Sequence, residues 1–248
     1  MNIGLYQSAS SLSALERWQD SVSQNIASSQ ESGYRKRTIN FSTQAAGEIQ
    51  SDPRGRIGHG AMDLLFPKVN TGINFASGET QPTHRELDVA IQGTGFFELQ
   101  NPDGSKVYSR SGEFQIRADR TVVNSSGQQV MTEAGTPVIL ASGEGDVTIN
   151  QDGSVFQGTT ALGKLSIKKF SDNSLLAPVT GGAFVPTNGM AAETVEKPQL
   201  LQGYLEGSNV TPLREMVDLV LISRAYEASQ KVITSIDEQM GKTLDTLG

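Results

Sequence analysis

Apolar residues change their spacing twice along the chain. Between residues 3 and 32 they follow a helical period. Leu5, Leu12, Leu15, Trp18, Val22 and Ile26 fall within an arc of about 140° at 100° per residue, and the opposite face is mostly Ser and Gln. This predicts an amphipathic helix over 3–32, with Gly33 as its left-handed terminator. From Leu64 to about Gln202 the pattern shortens to strand-like runs: LLFPKV (64–69), LDVAI (87–91), FFELQ (96–100), KVYSR (106–110), EFQIR (113–117), PVIL (137–140), VTIN (147–150) and KLSIKKF (164–170). Turn formers separate them, including the echoing pair NPDGS (101–105) and NQDGS (150–154), which predicts an antiparallel β domain.

From Ser208 a seven-residue beat takes over. Leu219, Tyr226, Ile233, Met240 and Leu247 share one heptad position, and Ile222, Ser229, Ile236 and Thr243 share its companion. Such spacing makes one long helix with a seam for another helix. Thr211 is placed to cap it, Pro212 suits its first turn, and Glu215 lies near the positive end of its dipole. Glu227 with Lys231, and Glu238 with Lys242, are favourable pairs on its surface. Residues 212–247 would reach about 54 Å, too long for a domain of this size to cover. Helices with seams at both ends predict that the ends pair and that the middle is an insertion.

The fold class expected is therefore α+β: a discontinuous coiled coil of N- and C-terminal helices with an inserted antiparallel β domain. The division expected is an N-terminal helix within 1–40, an extended linker over 41–75, a β domain over 76–203 and a C-terminal helix within 204–248. The segment Ser51–Gly60 reads as flexible or extended from its Gly, Pro and charge content. Tyr34–Arg37 (YRKR) reads as a solvated helix exit.

Charge narrows the classes of partner. With 20 basic and 27 acidic residues the chain carries a net charge of -7, which disfavours nucleic acid or an anionic membrane. There is no cysteine, hence no disulfide or thiolate site. No apolar run approaches the ~18 residues of a membrane span, and the N-terminus lacks the pattern of a cleaved signal. The expectation is a protein of the cytosol, or one exported by a route that reads no such signal.

Candidate chemistry is weak. GTTALGK (158–164) resembles a phosphate loop, but Leu165 stands where Ser or Thr should follow, and a strand-like run replaces the helix. The glycines of GTG (93–95) fit a bend between strands better than a dinucleotide site. His59 and His84 have no ligand partners at useful spacing. Asp103 and Asp152 supply one carboxylate per turn, too few for calcium and enough to form a turn. No catalytic residue, metal or cofactor is expected.

Three blocks of sequence, in order, resemble the flagellar hook and basal-body rod proteins of bacteria. In the first, Asn25, Ile26, Ala27, Gly33, Tyr34 and Arg35 match the family's opening-helix signature, with Ser28 departing from it. The second is LDVAIQGTGFFELQNPDGSKVYSRSGEFQI, with Asp88, Gly93, Gly95, Phe96 and Phe97. The third is QGYLEGSNVTPLREMVDLVLISRAYEASQKVI, with Gly203, Glu206, Ser208, Asn209, Arg224 and Glu227. The lead-in PTHRELDVAI (82–91) is most like the proximal rod type, with the distal rod or hook type as the alternative.

The resemblance implies a structural subunit of the basal-body rod, in the periplasmic or wall-spanning part of the flagellum, that transmits torque. It implies assembly with itself and with other rod or hook subunits, and passage through the flagellar type III export apparatus. It implies no small-molecule substrate and no nucleic acid. The residues expected at subunit contacts are the helix seams: Leu5, Leu12, Leu15, Trp18, Val22 and Ile26 with Leu219, Ile222, Tyr226, Ile233, Ile236, Met240 and Leu247. A wall-active enzyme or a chaperone of assembly would be the alternatives from other classes.

Overall fold

A computed structural model of the chain describes residues 3–49, 62–142 and 145–247. Helix α1 (Ile3–Ala27) is followed by strands β1 (Arg37–Ile49), β2 (Met62–Ile73), β3 (Thr80–Pro82), β4 (Val89–Gln92), β5 (Phe96–Gln100) and β6 (Lys106–Ser109). Next come β7 (Phe114–Ile116), β8 (Val122–Asn124), β9 (Gln129–Val130), β10 (Val147–Ile149), β11 (Ser154–Gln157) and β12 (Thr160–Lys164). The chain continues through β13 (Ile167–Lys169), a short 3-10 turn (Asn173–Leu175), β14 (Leu176–Val179), β15 (Ala183–Pro186), β16 (Glu193–Thr194), β17 (Gln199–Gln202) and β18 (Tyr204–Glu206). Helix α2 (Pro212–Leu247) closes it. These elements form two compact units, one of residues 1–27, 37–73 and 211–248, the other of residues 28–36 and 74–210.

In the helical unit, α1 packs against α2 and against the β1–β2 pair. The two strands run antiparallel from Arg37 opposite Ile73 to Ile49 opposite Met62, with a register shift between Ala45 and Glu48. Pro67 is tolerated in β2 because a two-stranded ladder leaves each strand an edge that needs no donor. Paired strand thus occupies 37–49 and 62–73, where an extended linker is expected over 41–75. Thr, Ile, Phe and Val suit a pleated surface, but the run has too little alternation to declare it. Ser51–Gly60, with His59, lies outside the described residues.

The β unit is built on a sheet in the order β14-β15-β6-β5-β9-β8-β7, with β13 beside β5 and β16 beside β13. A three-stranded sheet β10-β11-β12 and the pairs β17-β4 and β18-β3 complete it. Its core gathers Val89, Ile91, Phe97, Leu99, Val107, Val130 and Leu200, among others, all nearly inaccessible. Each such burial stabilises by about 1.5–3 kcal/mol. A second cluster stacks Phe96 edge-on or tilted against Phe75, Phe170 and Phe184 at centroid distances of 5.8–6.0 Å.

The turns follow the sequence closely. NPDGS joins β5 to β6 and NQDGS joins β10 to β11, each with its Asp side chain accepting from the Ser two residues on. Gly93 (φ 91°) and Gly95 (φ 131°) carry the bend between β4 and β5. The GTTALGK segment is strand hairpin and not a phosphate loop, with β12 pairing β11. Residues 137–140 make only isolated bridges, through Pro137 to Met131 and Ile139 to Thr121, because Pro137 has no donor for a ladder.

Candidate functional site

Helix α1 stops at Ala27, five residues short of the expected end. The reason is Asn25. Its Nδ2 donates to the Glu215 carboxylate and to the Arg37 carbonyl, both at 2.9 Å, and its Oδ1 accepts from the Arg37 N–H at 2.8 Å. Asn25 and Glu215 are both 1% exposed. One amide therefore fixes where α1 ends, where β1 begins and how the first turn of α2 meets them. The C-terminal end of α1 lies at the N-terminal end of α2, so the helices run antiparallel. Glu215, expected to act through the helix dipole, also accepts this buried hydrogen bond.

The heptad positions lie on the protected side of α2. Ile222 is fully buried, and Leu219, Tyr226, Ser229, Ile233 and Ile236 are half-buried. On α1, Val22 is buried and Leu12, Leu15, Trp18 and Ile26 are half-buried, with Trp18 edge-on to Phe41 of β1 at 5.6 Å. A groove of about 440 Å³ lies between Gln19 and Leu219, Val220, Ser223 and Tyr226. The side chains of Leu5, Met240 and Leu247 lie outside the described residues.

The opposite side of α2 is not polar. Leu213, Met216, Val217, Val220 and Leu221 are each 50–73% exposed. At 100° per residue they share an arc of about 140°, turned half a revolution from the buried face. Sequence reading missed this stripe because a heptad template reads one seam and scores everything else as surface. The signal was there in MVDLVL, where apolar residues stand on both faces of one turn. Together the five side chains form one contiguous apolar stripe on the outer face of α2.

In the β unit the motif residues form a polar clamp. The Arg35 Nη2 donates to Glu206 Oε1 at 2.6 Å, Gly78 N–H donates to the same oxygen at 3.0 Å, and the Arg110 Nε lies 3.0 Å from Glu206 Oε2. Arg110 also donates to the carbonyls of Gly93 and Gly95. Burial lowers the Arg110 pKa, and Glu206 works against that shift. Asn209 accepts from the Lys36 N–H at 2.6 Å and donates to the Asn74 and Ala76 carbonyls at 2.8 Å.

The reading of YRKR as a solvated exit is thus corrected. Tyr34 and Arg35 are buried, and Glu206, far along the chain, supplies the counter-charge for Arg35. Gly33 sits at φ 70°, and a Cβ there would come 2.3 Å from the Ser111 backbone nitrogen, so it serves a close approach and not a helix cap. Asp88 is buried and paired with Arg85, Gly203 turns the chain at φ 78°, and Ser208 accepts from the Val210 N–H. Ala27, Arg224 and Glu227 are exposed.

Two family models match. One described as flagellar hook protein FlgE/F/G D1 domain covers residues 90–157, and one described as flagellar basal body rod FlgEFG protein C-terminal covers residues 201–246. The chain is 30% identical to a flagellar basal-body rod protein FlgF of Caulobacter vibrioides, over all of this chain and 99% of that one. It is 30% identical to flagellar basal-body rod proteins FlgG of Agrobacterium fabrum, over 88% of each chain, and of Borreliella burgdorferi, over 96% of each.

Proposed function

Because this chain belongs to the flagellar basal-body rod protein family, a family of structural subunits and not of enzymes, we propose that it builds a helical tube in the basal body through both faces of α2. The buried face is taken up by α1 of the same chain, in the manner of a coiled coil. The stripe from Leu213 to Leu221 is the observation that carries the reading, because its five apolar side chains stay at least half exposed among the described residues. A neighbouring rod or hook subunit is the partner it fits. Contacts between unlike surfaces that do not close into a ring propagate as a filament.

The expected seam residues then act indirectly, holding α2 so that its outer face meets the neighbour. Torque passes through many such contacts rather than one site. Within the family we favour the proximal type, on the lead-in over 82–91. Export through the type III apparatus fits helices that complete their burial only after arrival.

The test is Val217→Gln with Leu221→Gln, which keeps good helix formers and removes the apolar surface. The expected result is normal secretion, an unchanged far-ultraviolet spectrum and loss of motility with subunits absent from isolated basal bodies. Normal motility would overturn the reading.

A further inference from the structure

The chain contains one Asn-Gly and two Asp-Gly dipeptides: Asn188–Gly189, Asp103–Gly104 and Asp152–Gly153. All three share a latent reaction. The glycine nitrogen can attack the side-chain carbonyl before it, and glycine has no Cβ to obstruct the approach. The structure treats the three differently. The Gly104 N–H donates to the Asn101 carbonyl at 2.9 Å and the Gly153 N–H to the Asn150 carbonyl at 3.0 Å, so both nitrogens are engaged. Both side chains are engaged too. The Ser105 hydroxyl and N–H hold Asp103, and the Ser154 N–H and hydroxyl hold Asp152, below the ordinary carboxylate value. An ionised carboxylate resists attack by a nucleophile.

Asn188 and Gly189 are exposed, and among the described residues nothing bonds the Asn188 side chain or accepts from the Gly189 N–H. They are the central pair of a turn closed by the Met190 N–H, which donates to the Thr187 carbonyl at 3.3 Å. With φ 58° at Asn188 and 67° at Gly189, the turn is of type I′. Ring closure needs ψ of about −120° at the asparagine, the value that position has in a type II′ turn. Rotating the Asn188–Gly189 peptide plane makes this change. Asn188 keeps its positive φ, and Gly189 moves to a negative φ that glycine adopts as readily. The ends of the turn stay anchored meanwhile. Thr187 donates from N–H and Oγ1 to the Leu175 carbonyl at 2.9 and 2.6 Å, and Ser171 Oγ donates to Met190 Sδ at 3.7 Å.

We infer that Asn188 is a site of spontaneous deamidation in the folded protein. The Gly189 nitrogen gives its proton to hydroxide and bonds to Asn188 Cγ, and the Cγ–Nδ2 bond breaks to release ammonia. Water then opens the cyclic imide. Cleavage between the Gly189 nitrogen and Cγ gives aspartate, and cleavage at the backbone carbonyl carbon gives isoaspartate. Nothing is oxidised or reduced, and either product adds one negative charge to the turn.

The test incubates the full chain in mildly alkaline buffer, folded and in guanidinium chloride, and follows each dipeptide by peptide mapping with mass spectrometry. Folding should slow conversion at Asn188 by less than about tenfold, and should slow isomerisation at Asp103 and Asp152 by more than that. Asn188→Gln should abolish the deamidation of the folded chain, and Asn188→Asp should melt with the parent, since the anchors of the turn remain. Conversion at Asn188 slowed more than tenfold by folding, Asp103 or Asp152 reacting as fast folded as unfolded, undiminished deamidation in Asn188→Gln, or a lower melting point for Asn188→Asp would overturn the proposal. None of these outcomes bears on α2, so the assembly reading stands or falls separately.

Discussion

Glu98 shows how single residues set the stability of the β unit. Burial pushes its pKa up, but the Lys106 ammonium, the Ser166 hydroxyl and Lys168 outweigh that and hold it below the ordinary carboxylate value. A carboxyl with a lowered folded-state pKa stabilises the fold above its unfolded pKa, and that contribution is lost as pH falls through the folded value. Wild type should therefore melt higher than Glu98→Gln at pH 7, and the gap should start to narrow once pH falls to about 4, the ordinary carboxylate range. Thermal melts on acidification check it, and a gap that does not narrow as the solution is acidified would contradict it. Asn25 and Glu206 belong to the same scale. Each is a buried polar group whose partners lie 12 to 190 positions away. Their motif positions were legible in the sequence, but their partners were not, because no local pattern encodes a contact across that distance.

Helices and turns are the level at which sequence speaks most directly. The 3.5-residue beat of α2 places its protected face correctly, and the Asp-Gly-Ser turns fall where their side chains must accept from backbone. What escapes is set from outside the element. The end of α1 follows from the Asn25 bonds, and the β1–β2 pair forms where neither strand alternates clearly. The two faces of α2 should respond differently to substitution. Ile222→Asp removes a fully buried side chain and places a charge against α1, so it should cost several kcal/mol and reduce helix content in the free subunit. Val217→Gln on the opposite face should leave helix content within error. Circular dichroism compares them, and equal losses would mean that α2 does not have one inner and one outer face.

At the scale of the molecule the two units differ in what holds them. The β unit has a continuous apolar core backed by a buried ion cluster. In the helical unit, Ala14, Val22 and Ile222 are the fully buried apolar side chains among the described residues. Helices gain most of their stability from packing an apolar face, and the described side chains of this unit pack little of one. α2 exceeds α1 by eleven residues, about 16 Å of helix that α1 does not match. The central claim is that neighbours supply the missing burial. Hydrogen exchange on the free subunit and on assembled rods tests it most directly. Amides of α1 and α2 should exchange about 100-fold or more faster than those of β5 and β6 in the free subunit, and should become protected in the rod. Helix amides as protected as the β core in the free subunit, or unchanged on assembly, would contradict the account.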